Sequence, residues 1–184
     1  MDLSEQEIVT KAQKGDHDAF MEIINRYEKR VAQTVIGILG DGAEADDIGQ
    51  EAFLQLYKAL RRFRGDSELG TYLTRIAINL SLNELRRRKR QQEAFSSTLQ
   101  GHLQDLRRMR KQNNKDDIKK IVRRGIQELD PRFKIVVVLR LINGYTTQEA
   151  AHILNLPLGT VFSRLARGQA KLKKIVERMY DIKK

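Results

Sequence analysis

Asp46, Asp47 and Glu51 crowd a short stretch of the chain, in "EADDIGQEAFLQLYKAL". On a helix of about 100° per residue, these carboxylates share one flank with Gln50, Leu54 and Lys58. Clustered carboxylates can hold a divalent cation or divide acid and base work between them. Nothing else in the chain joins them for either task. The three histidines, His17, His102 and His152, are far apart, and cysteine is absent. Zinc is therefore not expected, and no cofactor is called for. The other readings of this flank are a docking face for a basic partner or a plain helix start, where acidic residues are favoured.

A second polar constellation lies further along. At helical spacing Tyr72, Arg75, Asn79, Asn83, Arg86 and Arg90 fall within one narrow arc. Leu73, Ile76, Ala77 and Leu80 lie to one side of it; Ile78, Leu82 and Leu85 lie to the other. An aromatic, two amides and several guanidinium groups suit unstacked bases along a single strand. The amides can bond base edges and the arginines can hold phosphates. A half-buried Tyr beside a solvated face is the competing explanation.

The third lies in "TTQEAAHILNLPLGTVFSRLARGQAKLKKI", residues 146–175. Thr146 and Glu149 have capping-box spacing, and Ala150, Ala151, Ile153 and Leu154 give that first helix an apolar face. Asn155 tolerates the left-handed conformation of a tight turn, and Pro157 suits a helix start. Helix, short turn, helix is the form whose second helix enters the major groove. In that second helix Leu158, Val161, Leu165 and Leu172 mark one face; Thr160, Ser163, Arg164, Arg167 and Lys171 mark the opposite one. Hydroxyl and guanidinium groups match base edges and phosphates. An amphipathic surface helix with solvated charges is the alternative.

The elements that carry these residues read as helices throughout. "EQEIVTKAQ" and "HDAFMEIINRYEKRVAQTVIGIL" repeat apolar residues every three or four positions. A third helix is expected from about Ala43 to Phe63, and "RGDS" is a turn with Gly65 and Asp66. A fourth runs from about Thr71 to Arg90 and a fifth from Asp117 to Glu128. "FKIVVVLRLI" is β-branched enough for a strand, but the Asp130-Pro131 start and Asn143-Gly144 stop favour a helix. Residues 90–117 are rich in Gln, Ser, Asn and charge and read as a flexible tether. Leu99, Leu103, Leu106 and Met109 also keep helical spacing, so a short amphipathic helix on a partner is the other reading.

The expected fold class is thus all-α: two small helical domains joined by a flexible basic linker, the C-terminal one containing a helix-turn-helix. The boundaries fall at 1–90, 91–117 and 118–184. The 184 residues carry a formal net charge of +11. From Arg86 to Gly125 fourteen Lys or Arg face four Asp or Glu, so +10 of that charge sits in this segment. Such a balance favours a polyanionic partner. No apolar run approaches the length of a membrane span, so no membrane insertion is expected. The polar, acidic start does not resemble a signal peptide.

Three stretches, in order and at matching spacing, resemble the bacterial extracytoplasmic-function (ECF) sigma factors of the minimal two-domain class. They are "EADDIGQEAFLQLYKAL", "FRGDSELGTYLTRIAINLSLNELRRR" and "GYTTQEAAHILNLPLGTVFSRLARGQAKL". The resemblance covers nearly everything except residues 91–117. It implies a cytoplasmic transcription initiation factor without catalysis of its own. Its N-terminal domain would bind the β′ clamp helices of core RNA polymerase through Asp46, Asp47, Gln50, Glu51 and Leu54. That domain would also read the melted minus-ten element through the loop Phe63, Arg64, Gly65, Asp66 and Ser67 and the helix residues Tyr72, Arg75, Asn79, Asn83 and Arg86. The C-terminal domain would bind the β flap and the minus-thirty-five duplex, and an anti-sigma factor is an implied partner. The chain departs from the family in Tyr72, where many members carry Trp, and in Phe162, where many carry Lys or Arg. Its linker is basic where a mimic of nascent RNA would be acidic.

Two other classes fit parts of this pattern. A helix-turn-helix regulator working without polymerase leaves the "DDIGQE" flank and the Tyr72–Asn83 stripe unexplained. A magnesium enzyme acting on nucleic acid would use Asp46, Asp47 and Glu51.

Overall fold

The computed structural model describes residues 4–98 and 118–181, and among them the chain is helical with no strand. The spaced leucines at 99, 103 and 106 with Met109, and most of the expected linker, lie outside the described residues. α1 (Glu5–Gln13) starts from a capping box in which the Ser4 hydroxyl accepts from the Glu7 amide and the Glu7 carboxylate accepts from Ser4. That bonding holds the Glu7 carboxyl below its ordinary range. α2 (His17–Leu39) is capped by Asp16 and stopped by Gly40, at φ +87°. α3 spans Ala43–Leu60 and α4 spans Leu69–Thr98.

α4 runs past the expected end at Arg90. The continuation is made of good helix formers, Gln91 to Ala94, and Lys89 sits 3.7 Å from Glu93 one turn on. These four helices bury Ile8, Ile23, Val35, Leu56, Leu60 and Leu73 between them. α4 approaches α2 closely at Gly70, where a Cβ would stand 2.8 Å from the Tyr27 ring.

α5 (Ile118–Gln127) opens the second half. α6 (Pro131–Val137) begins as the sequence indicates: the Asp130 carboxylate accepts from the Arg132 amide, with Pro131 in the first turn. It passes into a π-helical turn, Val138–Ile142, closed by the Asn143 amide on the Val138 carbonyl at 3.0 Å. The strand alternative fails because Pro131–Val137 is α-helical and continues as the π turn, with every residue from Phe133 to Leu139 buried. Helices pack around the segment on all sides, so its apolar run needs no period. α7 (Thr147–Leu154) and α8 (Leu158–Asp181) complete the chain.

The two halves pack against each other. α2 meets α5, α6 and the π turn, and α4 meets α7. Buried apolar residues form one continuous cluster running from Ile8 in α1 to Leu172 in α8. Gly37 permits this approach, since a Cβ there would lie 2.8 Å from Val138.

Candidate nucleic-acid interface

The α3–α4 loop is pinned from below before it can present anything. Gln13 Nε2 donates to the Leu60 carbonyl at 3.1 Å and to the Phe63 carbonyl at 2.8 Å. The Glu5 carboxylate accepts from the Leu69 amide at 3.3 Å and from the Tyr27 hydroxyl. Burial and that carboxylate push the Tyr27 hydroxyl far above its ordinary range, so it stays protonated and keeps donating. Gly65 turns the loop at φ +79°, a conformation that favours glycine.

Above this base lies a cleft of about 650 Å³. Phe63, Arg64, Asp66, Ser67, Tyr72 and Arg75 line it together with Gln55, Lys58 and Arg62. Six of the expected downstream-strand residues are therefore brought together. Phe63 and Tyr72 meet with ring centroids 5.2 Å apart at 48°. That pair forms an aromatic wall of the kind a flat base can stack on. Lys58 and Arg62 were not assigned to this site from the sequence. Their register one turn apart, ending at the loop, is the signal that points to them.

The rest of the stripe climbs α4 away from the cleft. Asn79, Asn83 and Arg86 are exposed, and Arg86 donates to the Asn83 amide oxygen at 3.0 Å. Asn79 has no such bond among the described residues. Arg75 differs from all of these. Its Nε donates to the Ile153 carbonyl at 3.0 Å and its Nη2 to the His152 carbonyl at 2.6 Å, both at the end of α7.

The second polar face is built by the helix pair α7 and α8. Thr146 and Glu149 form the expected capping box, which also holds the Glu149 carboxyl below its ordinary range. Asn155 takes the left-handed conformation at φ 50°, ψ 50°. The Pro157 carbonyl accepts the first amides of α8, from Thr160 at 2.9 Å and Val161 at 3.2 Å. Gly168 lets α8 lie close on α6, since a Cβ would stand 2.9 Å from Val137. Val161 and Leu172 are buried as the spacing predicts, whereas Leu158, in the first turn, is 38% exposed.

On the outward side Ser163, Arg167 and Lys171 are exposed, and Thr160 and Arg164 are half-buried. Arg164 and Arg167 make no ion pair among the described residues. The Lys171 ammonium lies 5.5 Å from the Phe133 ring, a cation–π contact that steadies its stem. Phe162 is 54% exposed and so belongs to this surface rather than to the core.

The α3 flank carries Asp46, Asp47 and Gln50 exposed and Glu51 half-buried. Among the described residues no cluster of carboxylates or histidines is arranged to hold a metal ion. Leu54 is 52% exposed, and Tyr57, one turn on, is 43% exposed with its ring edge against Phe20. Tyr57 and the exposed Met21 were not assigned from the sequence; the repeat Leu54–Tyr57 on an acidic flank is the signal for the former. An acidic edge beside exposed apolar groups is chemistry that suits a basic protein surface.

Residues 23–91 match the family described as Sigma-70 region 2, and residues 119–172 match Sigma-70, region 4. The chain is 33% identical to the ECF RNA polymerase sigma-E factor of Escherichia coli (strain K12), covering 95% of each chain. It is 31% identical to the RNA polymerase sigma-H factor of Pseudomonas aeruginosa over 94% of each. Among solved structures it resembles CnrH, determined in complex with the cytosolic domain of CnrY, with a TM-score of 0.68 at 23% identity. That likeness covers 95% of this chain and 97% of the other. It also resembles the sigma factor RpoE of Bartonella quintana, determined with the anti-sigma factor NepR, with a TM-score of 0.67 at 18% identity. That second match covers 86% of this chain and 96% of the other.

Proposed function

The chain belongs to the ECF sigma factors, which are transcription initiation factors, and on that premise we propose that its two polar helices divide promoter reading between them. α8 reads the minus-thirty-five duplex in the major groove through Thr160, Ser163, Arg164, Arg167 and Lys171. α4 and its loop read the minus-ten strand after melting, through the cleft at Phe63–Ser67 and the stripe Tyr72, Arg75, Asn79, Asn83 and Arg86. The domains doing so are α1–α4 and α5–α8, with the linker between them.

The observation that carries this reading is the contrast in shape. The α4 site is a cationic cleft with an aromatic wall, which a base enters only after leaving its stack. The α8 site is an open convex helix with unpaired guanidinium groups, which suits a groove. Opening the duplex costs a few kcal/mol per unstacked step, roughly, and capture of a flipped base offsets part of it.

Asp46, Asp47, Gln50, Glu51 and Leu54, joined by Tyr57, dock the β′ clamp helices of core RNA polymerase, and the C-terminal domain meets the β flap. An anti-sigma factor covers these same faces. The likeness to RpoE, determined with the anti-sigma factor NepR, supports that reading. In vitro transcription with core polymerase and a promoter library tests the whole. Specific transcripts sharing an upstream and a downstream motif are expected. Shift of free duplex DNA as tightly as with polymerase, or magnesium-dependent cleavage of nucleic acid, contradicts it.

A further inference from the structure

An α-helix leaves its last four carbonyls without an intrahelical donor. In α2 the Gly40 amide donates to the Ile36 carbonyl at 2.9 Å, and the side chains that cap Gly37, Ile38 and Leu39 come largely from the other half of the chain. Gln127 of α5 donates to the Gly37 carbonyl at 2.9 Å and more weakly to Ile36 at 3.4 Å. Lys134 of α6 donates to the Ile38 carbonyl at 3.3 Å. Arg88 of α4 reaches the Leu39 carbonyl at 3.1 Å, held in place by the buried Glu84 carboxylate at 3.0 Å.

The contact is reciprocal. Arg75, from the N-terminal half, caps the final carbonyls of α7 in the C-terminal half. Each half thus sends one cation to the negative end of a helix in the other. Between these two points the Tyr145 and Thr74 hydroxyls meet at 2.9 Å, and Asn143 donates to Thr34. Lys134 is 4% exposed, and neither it nor Arg75 has a carboxylate partner among the described residues. Both cations are held by carbonyl dipoles alone. These polar contacts are exchanged for water when the halves part, and the apolar packing of α2 on the π turn is lost with them.

We propose that these reciprocal caps form a latch in which domain closure competes with single-strand reading, with Arg75 as the shared group. In the closed chain its guanidinium serves the α7 carbonyls; in the open chain it serves the strand. Arg75 borders the cleft while two of its five N–H donors are held by Ile153 and His152, so the closed chain offers the strand a guanidinium that is already partly engaged. The proposal rests on the assignment of Arg75 to the downstream strand made above. A competent state populated at a few per cent weakens apparent affinity by the inverse of its population. Opening the latch is therefore expected to tighten single-strand binding about tenfold or more.

Gly37 supplies the wedge. Gly37→Leu places a side chain where Val138 now packs, yet Leu is a better helix former than Gly, so α2 itself is not weakened. The double variant Gln127→Ala, Asn143→Ala removes caps without adding bulk and serves as the second opener. The chain has no cysteine, so Glu28→Cys on α2 and Gln169→Cys on α8, both at exposed positions, accept a unique label pair. Interdomain distance is read on the full-length protein, with circular dichroism confirming helix content. A pool of random-sequence single-stranded DNA is the binding probe. Both openers should lengthen the distance and tighten binding about tenfold, and Arg75→Ala in the Gly37→Leu background should abolish that gain. Openers that leave the chain closed overturn the latch. Openers that separate the domains without changing strand affinity overturn the competition. Failure of promoter reading itself appears separately, as loss of specific transcripts in the polymerase assay.

Discussion

α4 and α8 are both basic, amphipathic and long, yet they offer their polar groups in different states. On α8 the guanidinium groups of Arg164 and Arg167 make no ion pair among the described residues and stand beside exposed Ser163 and Phe162. On α4 the corresponding group, Arg75, is already engaged by carbonyls of the other half. α8 presents an outward helix face, whereas α4 borders a cleft with an aromatic wall and four cations, Lys58, Arg62, Arg64 and Arg75. On the reading proposed above, the difference follows from what each partner looks like before contact. Duplex DNA is present from the start and needs a surface that is ready. A melted strand is created later, and its site can be occupied by something else until then.

The largest expected break in this comparison comes from Gly168. A Cβ there meets Val137 at 2.9 Å and Phe133 Cβ at 3.4 Å, so Gly168→Val pushes α8 off α6. Overpacking of this kind costs about 1–3 kcal/mol. Thermal unfolding should show the loss in α5–α8, upstream-duplex binding by the holoenzyme should fall, and the α4 cleft should keep its contribution to strand capture.

Charge reversal on the α3 flank, Asp47→Lys with Glu51→Lys, is expected to weaken binding to core polymerase by about tenfold, ~1.4 kcal/mol. The exposed and half-buried positions of these groups set the modest size, since close desolvated pairs reach about 1.5–7 kcal/mol and rim pairs far less. Titration of labelled protein with core polymerase measures it. Helix content should be unchanged, because neither carboxylate holds the fold together beyond the 3.3 Å bond from Gln55 to Glu51.

A smaller effect concerns pH and sharpens the contrast between a latched and a free site. Burial, then repulsion from Arg88 on α4, pushes the Lys134 ammonium down to about 8. α2 and α5 face it only with the Ile38 and Gln127 carbonyls and the Gln127 amide. In the open chain this lysine returns to its ordinary value near 10.5. Below about pH 8 it is charged in both states and its desolvation opposes closure in full. As pH rises from about 8 towards 10.5 the closed state sheds the proton first and that opposition fades. The closed population should therefore rise between about pH 7.5 and pH 9.5, and Lys134→Met should flatten the response in the label-distance assay.

Local signals carried far in this chain. The Thr146–Glu149 box, the Asn155 turn and the Asp130-Pro131 start were all legible because each is settled by residues within one helical turn. The stripe from Tyr72 to Arg86 was legible for the same reason, since helical periodicity alone places it. What escaped was settled across the fold. Lys134 reads as one charge in an apolar run, although a lone lysine flanked on both sides by residues destined for the core is itself a signal that its ammonium needs carbonyls. Gln127, Asn143 and Tyr145 have no periodic signature at all, because their partners lie in α2 and α4. The polar period made Arg75 look solvated, and only the packing of α7 against α4 reveals otherwise. Leu158 shares a face with the buried Val161 yet is 38% exposed, an end effect that spacing does not reveal.

The division of labour between α4 and α8 is tested most directly by permanganate footprinting with two mutant holoenzymes on two templates, one ordinary and one pre-melted at the downstream element. Arg164→Ala removes a group able to bond guanine in bidentate fashion, worth about 1–3 kcal/mol at one base position. It should stay impaired on both templates, with relaxed preference at that position. Asn79→Ala removes an exposed amide from the strand-reading stripe. It should lose opening on the ordinary template and recover part of its activity on the bubble, where the unstacking cost has been removed in advance. Identical responses of the two variants to the bubble, or loss of upstream-duplex binding by Asn79→Ala, would contradict the account.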